Sequence, residues 1–114
     1  MDTLPVALIL KAMDGLATRA TVTAQNIANA NSPGYRPLKV TFEEALKRAA
    51  SADVEAVSSV EPEIALAVDR EGGTELRLDL ELATATATSG RYGALAQLLS
   101  RQLELQSIAL SGNR

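Results

Sequence analysis

Residues 25–36 read QNIANANSPGYR, and this stretch decides where the first long helix of the chain ends. A residue that precedes proline is pushed out of the α region, so a helix cannot run through Ser32-Pro33. Gly34 then suits the third position of a type II turn, which needs a positive φ. We expect Asn26, Asn29 and Asn31 to be polar groups satisfied at a crowded corner, within the chain or across a neighbour. We expect Tyr35 to anchor the outgoing strand.

Before this corner, the sequence predicts a helix over about 4–30. Thr3 or Asp2 can cap it, and Pro5 lies in the first turn, where proline is tolerated. Apolar and small residues recur in alternating steps of three and four, the spacing of a heptad seam. The seam consists of Val6, Ile9, Met13, Leu16, Ala20, Thr23, Ile27 and Ala30.

A second long helix is predicted over about 81–110, with the same spacing. Its seam consists of Leu78, Leu82, Ala85, Ser89, Tyr92, Ala96, Leu99, Leu103, Gln106 and Leu110, and Leu95, Leu98 and Leu105 widen it. The predicted fold is mainly α: two long terminal helices pair as a coiled-coil-like hairpin, with a short helix and a small β-hairpin or loop region between them. Residues 1–31 and 81–114 form the paired helices, and 32–80 form the middle region.

Within the middle region, Thr41 and Glu44 match a capping box and predict a short helix over about 42–51. Residues 52–60 show little periodicity and are expected to form a loop. Alternating residues over 64–68 and again over 76–80, with Gly72-Gly73 between them, predict a β-hairpin.

The composition favours helices that pack on other subunits. Of the 114 residues, 46% are hydrophobic but only 3% are aromatic, so Ala and Leu dominate the apolar content. A two-helix hairpin with Ala and Thr in its seams buries little area against a backbone entropy cost of ~1–2 kcal/mol per residue. We therefore expect the terminal helices to gain much of their stability from neighbouring chains.

Several functional classes are disfavoured. The chain has no His or Cys, so it lacks the usual nucleophile–base pairs, zinc ligands and disulfides. It contains no phosphate-binding glycine motif, and its dispersed basic residues and net charge of −3 argue against nucleic-acid binding. Membrane-surface binding by the first helix is weakly supported by its one Lys and one Arg. We expect no enzymatic activity, cofactor, metal or small-molecule substrate, and no cleaved signal peptide.

Residues 26–36, NIANANSPGYR, resemble the N-terminal signature N-[IL]-A-N-x-x-T-x-G-[YF]-[KR] of the bacterial flagellar rod and hook proteins, with Ser32 in place of Thr. Two stretches near the other end, LDLEL at 78–82 and RYGALAQLLSR at 91–101, are similar to C-terminal motifs of the same family. The Pro-Gly-Tyr sequence and the short chain most resemble the subunits of the proximal rod.

The resemblance implies a structural subunit that is exported by the type III flagellar apparatus and assembles helically in the periplasmic rod of the basal body. Its implied partners are copies of itself, other rod proteins, the rod–ring junction protein and the export apparatus. The alternative is a different axial subunit or a helical export-apparatus adaptor. The assembly motif then comprises Asn26, Ile27, Asn29, Asn31, Ser32, Pro33, Gly34 and Tyr35. The helix-packing residues are Ile9, Met13, Leu16, Ala20, Ile27, Tyr92, Leu95, Leu99, Leu103 and Leu110.

Overall fold

Two long helices form the body of the protein, as the sequence predicts. The computed structural model describes residues 3–68 and 76–112. Helix α1 spans Leu4–Ala28 and helix α4 spans Leu78–Gly112. They lie antiparallel, because the Gln106 side chain donates to Thr3 Oγ1 (3.1 Å) at one end and the Asn26 side chain donates to Glu81 Oε2 (3.0 Å) at the other. The predicted fold class is confirmed.

Helix α1 begins and ends by local chemistry. The Thr3 hydroxyl accepts from the backbone N–H of Val6, and Pro5 occupies the first turn. At the other end, the Tyr35 N–H donates to Ser32 O (3.2 Å), which closes a turn with Gly34 at φ 77°. A positive φ favours glycine, so the expected turn at Pro33-Gly34 is confirmed. The helix ends at Ala28, two residues earlier than predicted.

The small sheet differs from the predicted hairpin. Strand β1 is Leu38–Thr41 and strand β2 is Glu63–Leu66; they pair antiparallel with Leu38 opposite Leu66 and Thr41 opposite Glu63. The prediction that 64–68 pairs with 76–80 was wrong, because α4 has already begun at Leu78. An i, i+2 pattern over five residues does not separate a strand from the start of a helix. The expected loop of this hairpin lies outside the described residues.

Two short helices connect the strands. Helix α2 spans Glu43–Ala50, close to the predicted 42–51. The capping box is not formed: Phe42 occupies the N-cap without a side-chain bond, since Thr41 is held in β1 opposite Glu63. Helix α3, Val54–Ser58, lies in the segment expected to be a loop, and the Asp53 carboxylate caps it by accepting from the Ala56 N–H (2.8 Å).

The core lies on one side of α1. Leu16, Val22, Val40 and Phe42 form its central cluster, and Leu95 of α4 packs against them. Gly15 explains how Phe42 fits: a Cβ at position 15 would lie 2.5 Å from the Phe42 ring. The ring therefore occupies the space that a side chain at position 15 would need. Val6 and Ile9 of α1, Val57 of α3 and Val60 are also buried, and α1 contacts α3.

Candidate assembly site

The corner that follows α1 is organised by the side chain of Asn26. This amide is 1% exposed and makes four hydrogen bonds. Its Nδ2 donates to Leu38 O (2.8 Å) and to Glu81 Oε2 (3.0 Å). Its Oδ1 accepts from the Leu38 N–H (3.1 Å) and from the Tyr35 hydroxyl (2.7 Å). One side chain therefore joins α1, the chain leaving the turn, β1 and the start of α4.

Asn26 and Arg19 together cover the free edge of β1. In an antiparallel ladder, alternate residues direct their backbone groups to opposite edges. Pro37 O accepts from the Ala67 N–H (2.9 Å), so Lys39 and Thr41, two and four residues on, face β2, and Leu38 and Val40 face α1. Asn26 satisfies both backbone groups of Leu38, and Arg19 Nη2 donates to Val40 O (2.8 Å). Since the two side chains are seven residues apart, they project from one face of α1 and replace a third strand.

The rest of the assembly motif is divided between the corner and the surface. Asn29 Nδ2 donates to Gln25 O (2.9 Å), and the Ser32 hydroxyl donates to Asn29 Oδ1 (3.2 Å), so both stabilise the end of α1. The Tyr35 hydroxyl donates to Asn26 Oδ1 (2.7 Å), which ties the outgoing chain to α1. Asn31, Pro33 and Gly34 are exposed. The described residues thus satisfy Asn26 and Asn29 within the chain and leave Asn31 at the surface.

Arg19 makes a contact that the sequence reasoning missed. Its guanidinium donates to Glu43 through Nη1 (2.7 Å) and Nη2 (2.8 Å), and it lies 4.9 Å from the centre of the Phe42 ring. A two-bond pair holds a planar guanidinium in one orientation, and the aromatic face adds a cation–π attraction. The sequence signal for this contact was Arg19 itself. It is the single Arg of a first helix that carries few charges, and it lies seven residues before Asn26.

The Arg19–Glu43 pair predicts a loss of stability in acid. Hydrogen bonds from Arg19 lower the pKa of Glu43 from 4.5 to about 2. A depressed folded-state pKa stabilises the fold above the unfolded value, so this contribution should be complete above pH 4.5 and should disappear as the pH falls towards 2. The Glu43 side chain is 53% exposed, so solvent screening keeps the contribution small.

We expect Glu43→Gln to flatten the pH dependence of the unfolding free energy between pH 4.5 and 2, as measured by urea denaturation. The matched control is Glu44→Gln on the same turn of α2, which is exposed and has no ion pair within 3–68 and 76–112. The control should keep the wild-type slope. Equal slopes in wild type and Glu43→Gln would contradict the role assigned to the pair.

The predicted helix-packing residues divide into three groups. Ile9 and Leu16 are buried, and Met13, Ile27, Leu95 and Leu99 are half-buried, so these six lie in the interior of the helix pair. Ala20 and Tyr92 are exposed and line a groove between the helices. Leu103 and Leu110 are exposed and do not pack in the interior of this chain.

The protected positions of α4 are rotated from the predicted seam. The buried or half-buried positions of α4 are Glu81, Ala85, Thr88, Leu95, Ala96, Leu99, Gln102 and Gln106. Leu82, Leu103 and Leu110 lie on one flank of this seam, and Leu98 and Leu105 lie on the other, all exposed. Helix α4 therefore turns a partly polar stripe towards the rest of the chain. Most of its leucines face outward, where the residues 3–68 and 76–112 do not cover them.

Two open grooves flank the helix pair. The first, about 570 Å³, lies between α4 and the sheet, with Lys39 and Arg91 among its lining residues. The second, about 410 Å³, is formed only by α1 and α4, and we call it the helix groove. It is lined by Leu16, Ala17, Ala20, Ala24, Ile27, Ala85, Thr88, Ser89 and Tyr92. Small side chains thus leave a shallow apolar channel on the face that the middle region does not cover.

Two comparisons with known proteins found no match, so the functional assignment depends on the residues of this chain. The protein-family models contain no match to this chain, and the curated proteins contain none either. Within the described segments, no helix is long and apolar enough to cross a membrane. The same residues hold no cluster of acidic side chains arranged to bind a metal ion.

Proposed function

We propose that this protein is a structural subunit of the bacterial flagellar rod, of the proximal-rod kind represented by FlgB. In this role it is exported through the type III apparatus and assembles helically through α1 and α4. It connects the membrane ring to the distal rod. The signature-like stretch 26–36 and the motifs at 78–82 and 91–101 support the family. The outward-facing leucines of α4 support assembly.

The uncovered surface of α4 is the observation that carries the proposal. Monomeric soluble proteins rarely expose large contiguous apolar patches, and such patches mark interaction sites. Nine large hydrophobic residues of this helix are exposed: Leu78, Leu80, Leu82, Tyr92, Leu98, Leu103, Leu105, Ile108 and Leu110. Leu82, Leu103 and Leu110 lie on one flank of the seam with α1, and Leu98 and Leu105 lie on the other. A helix with apolar residues on both flanks can be covered by a neighbour on each side, as in a packed helical layer.

The corner at 26–35 supports the same role. In a helical assembly every subunit must leave the helical layer in the same direction. Asn26 holds Tyr35 and Leu38 at fixed positions against α1, while the Pro33-Gly34 turn reverses the chain. Because the polar groups of this corner are satisfied and its turn requires glycine, the chain leaves α1 along a single path.

The proposal is tested in the bacterium that produces the chain. We expect the protein to be recovered in purified basal bodies, and we expect its deletion to abolish swimming. Replacing Pro33-Gly34 by Ala-Ala should also abolish swimming without lowering expression, because Gly34 has a φ that alanine rarely adopts. Ala52→Ser is the matched control, since it changes an exposed residue in the turn after α2, outside the signature, and should leave motility intact.

Absence of the chain from basal bodies, or normal swimming of the deletion strain, would contradict the proposal. Recovery only with the export apparatus would favour the alternative of an export adaptor. Recovery in the distal rod without the proximal rod would favour a different axial subunit.

A further inference from the structure

Strand β2 has an outer edge without a hydrogen-bond partner among the described residues. The described sheet contains two strands, and β1 pairs with one side of β2. The Ala67 N–H donates to Pro37 O (2.9 Å), so Ala65, two residues earlier, also bonds to β1. The backbone N–H and C=O groups of Ile64 and Leu66 therefore point to the opposite side. We call these four groups the β2 edge.

The other edge of the sheet shows how such groups are satisfied in this fold. On β1, the outward backbone groups of Leu38 and the carbonyl of Val40 are bonded by the side chains of Asn26 and Arg19. An uncovered edge is a template for another extended chain, and proteins commonly block it with lysine or a bulge. The four residues of β2 include no lysine and pair with β1 without a bulge. The backbone itself therefore indicates a strand as the occupant.

One face of the edge favours apolar side chains in that strand. Ile64 is 51% exposed and Leu66 is 39% exposed. They share a sheet face with Leu38 and Val40, which lie opposite them on β1 and pack in or against the core. Residues of an added strand that lie directly opposite Ile64 and Leu66 would contact them from the outer side. The apolar face of the sheet would then continue across a third strand.

The other face favours basic side chains. Glu63 projects from it, and Glu61 lies two residues earlier. Both are exposed, and neither forms an ion pair within the described part of the chain. The open groove at the start of β2 is lined by four glutamates and one base, Arg48. A basic side chain on the added strand, directly opposite Glu63, would form a pair of opposite charge.

We propose that the β2 edge binds an extended segment of a partner protein in which apolar residues alternate with lysine or arginine. The segment adds to the sheet as a third, antiparallel strand, with its apolar residues opposite Ile64 and Leu66 and a basic residue opposite Glu63. Its backbone bonds the four edge groups and gives affinity, while the side chains give specificity. Residues 38–40 of β1, Leu-Lys-Val, already show this alternation on the other side of β2. The contact is separate from the packing of α1 and α4.

A second copy of β2 is a less favourable occupant of the same edge. It would bring Glu61 and Glu63 of both copies onto one small sheet, where like charges repel each other. A parallel strand is also less favourable, because parallel pairing is slightly less stable per residue than antiparallel pairing. Charge and hydrogen-bond geometry thus favour an antiparallel strand that carries positive charge.

A synthetic peptide tests the edge in the intact protein. The probe is a short, end-blocked peptide of alternating lysine and valine that carries a fluorophore. Fluorescence anisotropy should show saturable binding that weakens as salt is raised. Amide hydrogen exchange at Ile64 and Leu66 should slow when the peptide is bound, whereas Ala65, already bonded to β1, should change little. A lack of binding, or binding without protection of Ile64 and Leu66, would overturn the proposal.

Backbone methylation of the peptide separates strand addition from charge attraction. In an antiparallel third strand, the valine N–H groups face β2 and the lysine N–H groups face solvent. Methylating the valine amides should therefore abolish the protection of Ile64 and Leu66, and methylating the lysine amides should preserve it. Equal protection with both peptides would overturn strand addition. Loss with the methylated lysine amides alone would indicate a parallel strand and overturn the antiparallel pairing.

Variants of the protein test the charge preference. Glu63→Gln should weaken binding about two- to fivefold, because it removes one exposed pair of opposite charges. Glu104→Gln is the matched control, since it removes an exposed carboxylate near the far end of α4 and should leave the affinity unchanged. Equal affinities for wild type and Glu63→Gln, or equal binding of a valine–glutamate peptide, would overturn the basic character of the occupant.

Exchange in the protein alone tests the second-copy alternative. Ile64 and Leu66 should exchange at the same rate in dilute and concentrated protein when no peptide is present. Protection of these two amides that increases with protein concentration would show that a second copy occupies the edge, and would overturn the proposal.

Discussion

Replacing Asn26 by alanine is expected to detach β1 and the start of α4 from α1. The substitution removes the partner of both backbone groups of Leu38, of the Tyr35 hydroxyl and of Glu81. A buried polar group left without a partner costs ~1–3 kcal/mol, so the two groups of Leu38 alone imply a loss of about 3 kcal/mol. Urea denaturation followed by circular dichroism measures the loss. Amide hydrogen exchange at Leu38 and Val40 locates it.

Two matched variants show how the loss of unfolding free energy depends on the number and burial of the hydrogen bonds removed. Tyr35→Phe removes one of the four bonds and should cost about 1 kcal/mol. Among the described residues, the Asn29 amide bonds to Gln25 and Ser32 near the helix end, so Asn29→Ala should cost less than about 1 kcal/mol. If Asn26→Ala were no more destabilising than Asn29→Ala, Asn26 would not be the group that organises the corner.

Adding a methyl group at Gly15 is the second change with a large expected effect. In Gly15→Ala the new Cβ would lie 2.5 Å from the Phe42 ring, which is buried and stacked beneath Arg19. Overpacking of a core costs ~1–3 kcal/mol, whereas Ala in place of Gly in a helix gains ~1 kcal/mol. We therefore expect a net loss of about 1–2 kcal/mol in the unfolding free energy, since the rigid ring cannot move aside without leaving Arg19.

Gly93→Ala is the control, since a Cβ at this position of α4 meets nothing within 4 Å. It should stabilise the protein by up to ~1 kcal/mol through helix propensity. The double variant Gly15→Ala/Phe42→Leu should recover part of the loss, because leucine leaves room for the methyl group. Stabilisation by Gly15→Ala alone would show that the position of the Phe42 ring does not depend on the absence of a side chain at position 15.

Most of the fold could be predicted from local sequence rules. The limits of α1 follow from Thr3, Pro5 and the Pro33-Gly34 turn, whose effects depend on adjacent backbone atoms. The strand pairing could not be predicted in this way. Leu78 and Leu80 alternate with charged residues as a strand would, but they continue a 35-residue helix. Which strand pairs with β2 depends on where α1 places β1, through residues far apart in the chain.

The rotation of α4 shows the same limit. One row of positions seven residues apart, through Ala85 and Leu99, belongs to both the predicted and the observed seam of α4. Two further rows lie on either side of it: the first passes through Leu82 and Leu103, and the second passes through Glu81 and Gln102. Hydrophobicity favours the first row, so the sequence predicted it. The structure uses the second, with Glu81 bonded to Asn26 and Gln106 bonded to Thr3 at the ends of the pair. The leucines of the first row thereby remain outside.

The sequence by itself determined the two terminal helices, the Pro33-Gly34 turn before which α1 stops and the polar residues of the corner. These features depend on interactions within a few residues, where proline, glycine and capping side chains act on their own backbone. The tertiary structure decided that the Asn26 side chain takes the place of a third strand beside β1 and that Gly15 leaves space for the Phe42 ring. It also decided that most leucines of α4 face outward. Each of these depends on residues that are distant in sequence, and their meeting follows from packing.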